Sequence, residues 1–152
     1  SLYSNAAPLP SYSTTAWTPV VSARLQPSRL DAIALMKQVD VILTGTGTAQ
    51  WALWTQSNVA GVTFTSPLQN GSIQIAQGGT MNVASSWQLA AGLITNGGGN
   101  SSSSTLVDLQ SYFAQIGRDS FAQVSDTVTL AVIGIGTQTP AGQSLLSWQE
   151  LL

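Results

Sequence analysis

Between positions 33 and 44 the odd residues Ile33, Leu35, Val39, Val41 and Leu43 are apolar, with Lys37 the exception, and the even ones include Gln38, Asp40 and Thr44. A period of two predicts a strand with one buried face. The pattern reads as strand from Val39 onward. Residues 29–37 stay open, because Ser28-x-x-Asp31 ahead of "LDAIALMKQ" also resembles a helix capping box. After the Gly45-Thr46-Gly47 triplet, residues 48–54 continue as strand, rich in Trp and Thr. Further short strands are expected at 61–66, 72–76, 81–85 and 87–94, separated by Gly, Asn and small polar residues. Near the end, "SDTVTLAVIGIG" alternates Val128, Leu130 and Val132 with Thr127, Thr129 and Ala131. "SLLSWQELL" sets Leu146, Trp148 and Glu150 against Leu145, Ser147, Gln149 and Leu151. These two are expected as a hairpin joined by "TQTPAGQ". One helix competes, at "TLVDLQSYFAQIGRDSF": Thr105 would cap it, Leu106, Leu109, Phe113 and Ile116 recur at helical spacing, and Gly117 would end it. Short strands at roughly ten-residue spacing predict an all-β fold, an antiparallel β-sandwich with at most one or two short helices.

Residues 1–16 read differently. Pro8 and Pro10, with Tyr3 and Tyr12 among Ser, Asn and Ala, predict an extended arm ahead of a single domain over 17–152. Such an arm either packs along its own domain or reaches a neighbouring subunit. The stretch "TNGGGNSSSST" predicts a flexible loop.

Charge narrows the function. Only 7% of residues are charged, the net charge is -2 and the basic residues are Arg24, Arg29, Lys37 and Arg118. No patch of these can neutralise several phosphates, so nucleic acid is not an expected partner. No apolar run approaches the roughly 18 residues of a membrane-spanning helix, and the N-terminus lacks the basic and apolar regions of a secretory signal. With 43% hydrophobic residues and five Trp, the chain is expected to be ordered.

The chain has no His and no Cys. That removes the commonest general base, the thiol nucleophile and the two commonest transition-metal ligands. Lys37 has no Ser-x-x-Lys partner sequence. The six acids, Asp31, Asp40, Asp108, Asp119, Asp126 and Glu150, form neither a carboxylate pair in an aromatic cluster nor an alternating Asp loop for Ca²⁺. Neither an enzyme nor a cofactor or metal is expected. The Gly45-Thr46-Gly47 triplet lacks the third glycine of a phosphate-cradling loop and runs into β-forming residues, which predicts a hairpin corner with Gly45 or Gly47 at positive φ. Trp51 and Trp54 are an odd number apart, so on a strand they face opposite sides unless a bulge intervenes. One belongs in the core, and Trp54 becomes a candidate interface residue. Exposed members of the five, Trp17, Trp51, Trp54, Trp87 and Trp148, could stack on sugars.

Taken together, "VDVILTGTGTAQWALW", the Gly- and Ser-rich middle, the turn Ile116-Gly117-Arg118-Asp119 followed by "SDTVTLAV", and the closing "SWQEL" resemble small virion structural proteins of tailed bacteriophages. The resemblance covers about the last hundred residues and is closest to capsid decoration, or cement, proteins. It implies a jelly-roll-like sandwich, commonly trimeric, on the outside of a capsid, bridging copies of the major capsid protein. The candidate contacts are Tyr3, Pro8, Pro10, Tyr12, Trp17, Trp54, Arg118 and Asp119. The alternative is a tail or fibre component that binds host glycans.

Overall fold

Alternation is realised as strands almost throughout. The computed structural model describes residues 2–9, 12–68, 71–97, 103–109, 115–119, 124–138 and 140–151. The strands are β1 (Leu2–Leu9), β2 (Thr18–Leu25), β3 (Ile33–Leu43), β4 (Gly47–Thr55), β5 (Asn58–Ala60), β6 (Ile73–Gln77) and β7 (Thr80–Asn82). They continue with β8 (Trp87–Asn96), β9 (Ser103–Asp108), β10 (Arg118–Asp119), β11 (Val124–Ser125), β12 (Thr127–Ile135) and β13 (Gly142–Leu151). Helix among the described residues is confined to the 3-10 turns Pro27–Arg29 and Val83–Ser85.

Two antiparallel sheets build the sandwich, one in the order β1-β13-β3-β9 and the other β6-β2-β12-β4-β8. The small pairs β5-β7 and β10-β11 stand apart from both. With letters B to I given in chain order to the long strands β1, β2, β3, β4, β8, β9, β12 and β13, the sheets read B-I-D-G and C-H-E-F. That is the strand order of a jelly roll, whose two sheets are wound from paired Greek keys. Strands β6, β5 and β7 belong to the insert between E and F, and β10 and β11 to the insert between G and H.

This winding corrects two expected hairpins. β3 and β4 lie in different sheets, as do β12 and β13, so the Gly45-Thr46-Gly47 corner and the "TQTPAGQ" segment are arches that cross from one sheet to the other. The two arches touch: Thr44 N–H donates to the Ala141 carbonyl at 2.9 Å, and a Cβ on Gly45 would stand 2.9 Å from the Ala141 nitrogen. Gly47 has φ +139°, which L side chains rarely adopt, so the positive φ of this corner falls on it.

Residues 29–37 resolve as strand from Ile33, and Lys37 explains the broken alternation. Opposite β13, Gln38 pairs with Ser147 and Met36 with Trp148, leaving Lys37 as the extra residue of a bulge. Below it Ala34 and Met36 face the core; above it Val39, Val41 and Leu43 do. Ile33 and Leu35, apolar in the expected phase, therefore point outward, and Ile33 is exposed. The expected helix at 105–117 is also corrected: Thr105, Leu106 and Asp108 lie in β9, paired to β3, because Val107 and Leu109 turn to the core while Leu106 turns out. Phe113 lies outside the described residues. Residues 61–66 form no strand, only a bridge from Thr65 to Ile75, and of 81–85 only the first two positions are strand.

The core lies between the sheets. Val21, Ala23, Leu53, Leu130 and Val132 come from one sheet, and Val39, Val41, Leu43, Leu146 and Trp148 from the other. Full burial of each large apolar side chain contributes about 1.5–3 kcal/mol. Trp51 fits because Gly92 pairs opposite it: a Cβ on Gly92 would come within 2.6 Å of Nε1 of the Trp51 indole. The ring occupies the space that a side chain would fill.

Candidate interaction surface

A second buried layer lies on the outer face of the larger sheet. Trp54, Thr129, Ser22 and Ala76 stand in one row across β4, β12, β2 and β6. Ser22 and Thr129 share a hydrogen bond of 2.9 Å between hydroxyls, which satisfies both away from water. Ala52 and Ala131 pair beside them and are fully buried. Trp17 meets Trp54 edge to face, centroids 5.3 Å apart at 78°, and the guanidinium of Arg24 sits 4.1 Å from the Phe64 ring centroid. Small side chains in the row leave room for these aromatics to lie on the sheet.

The expected contact residues are thus divided. Trp17 and Trp54 are half-buried and spend their faces on each other, although the indole N–H of Trp54 is buried with no partner. Tyr12, expected at a subunit contact, is instead fully buried in the core of its own chain. Its backbone N–H donates to the Pro140 carbonyl at 2.8 Å. Burial raises the pKa of its hydroxyl above the ordinary 10.0, an effect eased by the neighbouring Ser144 hydroxyl. The two hydroxyls are close but meet in no well-formed hydrogen bond, and both are left unsatisfied.

The arm runs along its own domain: β1 pairs antiparallel with β13 from Leu2↔Gln149 to Leu9↔Gly142, which sets the Tyr3 backbone beside Trp148 and that of Pro8 beside Gln143. Pro10 lies outside the described residues. Arg118 is exposed, and its guanidinium donates to the Leu30 carbonyl, tying the β10-β11 pair to the segment before β3. Asp119 enters the same pair opposite Val124. The structure does not bring Arg118 together with Trp17 and Trp54 into one site.

Other features were not read from the sequence. Glu150 is a buried carboxylate that accepts from Ser72 N–H at 3.0 Å and from the Trp148 indole at 3.3 Å, pinning the turn before β6 to the end of β13. Trp87 is 68% and Leu93 67% exposed, both on β8, and Leu106 on β9 is 64% exposed. The signal for Leu106 was available: once the stretch is strand rather than helix, alternation puts Val107 inside and Leu106 outside.

Among the described residues the groups that could do chemistry are scattered. Among the described residues no group of three or more His, Cys, Asp or Glu side chains could hold a metal ion. A cleft of about 270 Å³ is lined by Asp31, Ala32, Gln115, Gly117 and Arg118 among others. It is smaller than the roughly 300–1,000 Å³ of small-molecule sites. What the surface offers is uncharged sheet edge and scattered large apolar side chains. Compared with known proteins, the chain matches no family model, no curated protein and no solved structure, so a functional reading starts from its own topology and surface.

Proposed function

We propose that the protein is a non-enzymatic structural subunit of a virus particle, of the decoration type that sits on the outer surface of a phage capsid and bridges capsid subunits. The observation that carries this reading is the B-I-D-G and C-H-E-F strand order, since jelly rolls build viral capsid domains. Fold alone is an analogy. The surface adds a physical argument: with 7% charged residues, its Ser, Thr and Gln side chains hydrogen-bond to neighbours without the desolvation cost of burying charge. A subunit that binds only the assembled lattice stabilises it by mass action, through contact area rather than catalysis.

Electron microscopy with a gold-labelled antibody to this chain tests the proposal on the source particles. Label over the outside of the head is the expected result. Label on no particle would sink the reading.

One observation favours a second reading. Jelly rolls also serve as lectins, and Trp87 presents a largely exposed indole of the kind that stacks on sugar rings. In that case the chain is a tail or fibre component recognising host glycans. The label then appears on the tail, and glycan binding is lost in Trp87→Ala; a glycan screen without hits removes it.

A further inference from the structure

The β10-β11 pair stands off both sheets, and the cleft of about 270 Å³ opens between β10 and the segment that leads into β3. Its apolar lining includes Leu25, Ala32 and Ile116, all buried. Its charged lining is one acid and one base, Asp31 and Arg118, both exposed. These two are neighbours without being partners. The Arg118 guanidinium donates to the carbonyl of Leu30, the residue directly before Asp31. The Asp31 carboxylate instead meets Arg29 at 3.8 Å, in a contact between side chains that are 37% and 82% exposed. An exposed pair of this kind holds little energy, and a neutral carbonyl is a weaker acceptor for guanidinium than a carboxylate. Both charges are therefore open to a ligand.

The pattern of signs selects the ligand class. A plain carboxylate drawn to Arg118 is repelled by Asp31 and by Asp126, whose Oδ2 would stand 2.6 Å from a Cβ on Gly117 in the cleft wall. A plain amine drawn to Asp31 is repelled by Arg118 and Arg29. A ligand with one charge of each sign meets attraction at both ends.

We infer that this cleft binds a free α-amino acid with an apolar side chain. Its carboxylate accepts from the remaining N–H groups of Arg118, its ammonium donates to Asp31, and its side chain lies on Leu25, Ala32 and Ile116. The size agrees. At the roughly 30 Å³ that a water occupies in the liquid, 270 Å³ holds about nine non-hydrogen atoms, as many as leucine contains. A volume below the range of drug-sized sites suits a solute this small. The site is independent of whether the protein is viral.

Nuclear magnetic resonance of the full chain, read at the methyl groups of Leu25 and Ile116, tests this with a set of matched probes. L-Leucine carries both charges, leucinamide only the ammonium and isocaproate only the carboxylate. Leucine is expected to give saturable shifts with a Kd on the order of 1 mM, the strength of two exposed charge contacts on a small apolar surface. Each analogue should bind several-fold more weakly. In Arg118→Gln the affinity for leucine should fall to that of leucinamide, and in Asp31→Asn to that of isocaproate, with circular dichroism unchanged. The comparison of probes needs only the unaltered chain, so it stands even if a variant loosens β10. Leucine without saturable shifts overturns the inference. So does equal affinity for all the probes, which leaves apolar contact alone, or an affinity for leucine that neither substitution changes.

Discussion

At Gly92 the missing side chain seats a neighbour. The Trp51 indole lies where a Cβ would stand, so Gly92→Val forces the ring or β8 to move. The expected cost is about 1–3 kcal/mol, the range for overpacking a filled core, read as a lower urea midpoint together with a shift in tryptophan emission. Tyr12 presents the opposite case, a polar group in the core that gains nothing from it. With its hydroxyl unsatisfied, Tyr12→Phe should leave stability at neutral pH within about 1 kcal/mol of the parent or raise it. The pH dependence follows from the raised pKa: the unfolded chain ionises first, near 10.0, while the buried hydroxyl resists. Stability is complete below that value and falls as pH climbs towards the higher folded pKa, at up to about 1.4 kcal/mol per pH unit for this group. Urea titrations on either side of pH 10 should show a shallower alkaline decline in Tyr12→Phe; an identical decline would refute the assignment to Tyr12.

Among the strands, Lys37 fixes a register rather than a contact. Deleting it removes the bulge and leaves Ala34, Met36, Val39, Val41 and Leu43 in one unbroken alternation opposite β13, at the cost of the Lys37 carbonyl that accepts from Leu109 N–H at 2.7 Å. Both the deletion and Lys37→Ala should keep the cooperative fold, read by circular dichroism with thermal melting; loss of the cooperative melt in the deletion alone would contradict the assignment of Lys37 as the extra residue. This is also where sequence reading met its limit. The alternation of β3 was legible, and so were β4, β12 and β13, because larger apolar residues alternate along each with polar or small ones. The phase change was not, since a bulge looks like one misplaced residue in a continuous pattern. The arches at Gly45 and after Ile135 were read as hairpins because strand, turn, strand looks alike whether or not the chain changes sheets. From Leu106 on, the spacing of Leu106, Leu109 and Ile116 suited a helix, and long-range pairing of residues 103–108 with β3 decided otherwise. Of the candidate contacts, the separation of Trp51 and Trp54 onto opposite faces followed from parity. That Trp54 would be covered by Trp17 did not, because the two are joined only through the fold.

For the molecule as a whole, the low charge predicts how it behaves as much as what it binds. Ion pairs are sparse among the described residues, Arg29 and Asp31 at 3.8 Å being a surface example with little energetic weight. If the chain decorates a particle as proposed, attachment through an uncharged surface should change little between about 0.1 M and about 1 M salt, where charge-driven contacts are screened away; a steep loss in a pull-down across that range would contradict contact by uncharged area. The winding has a kinetic side too. Pairing across the full length of the chain places this fold among slow topologies, with folding expected on a scale of about milliseconds to seconds. Because β1 and β13 lie side by side with Leu2 against Gln149, the described chain is nearly a closed loop cut at one seam. A short linker from Leu151 to Leu2, with a new opening between Gly78 and Gly79 where the β6-β7 turn has both residues at positive φ, should give a circular permutant with the same sheets. In that permutant the two paired strands most distant along the present chain become covalent neighbours, and refolding should accelerate while the finished molecule stays the same.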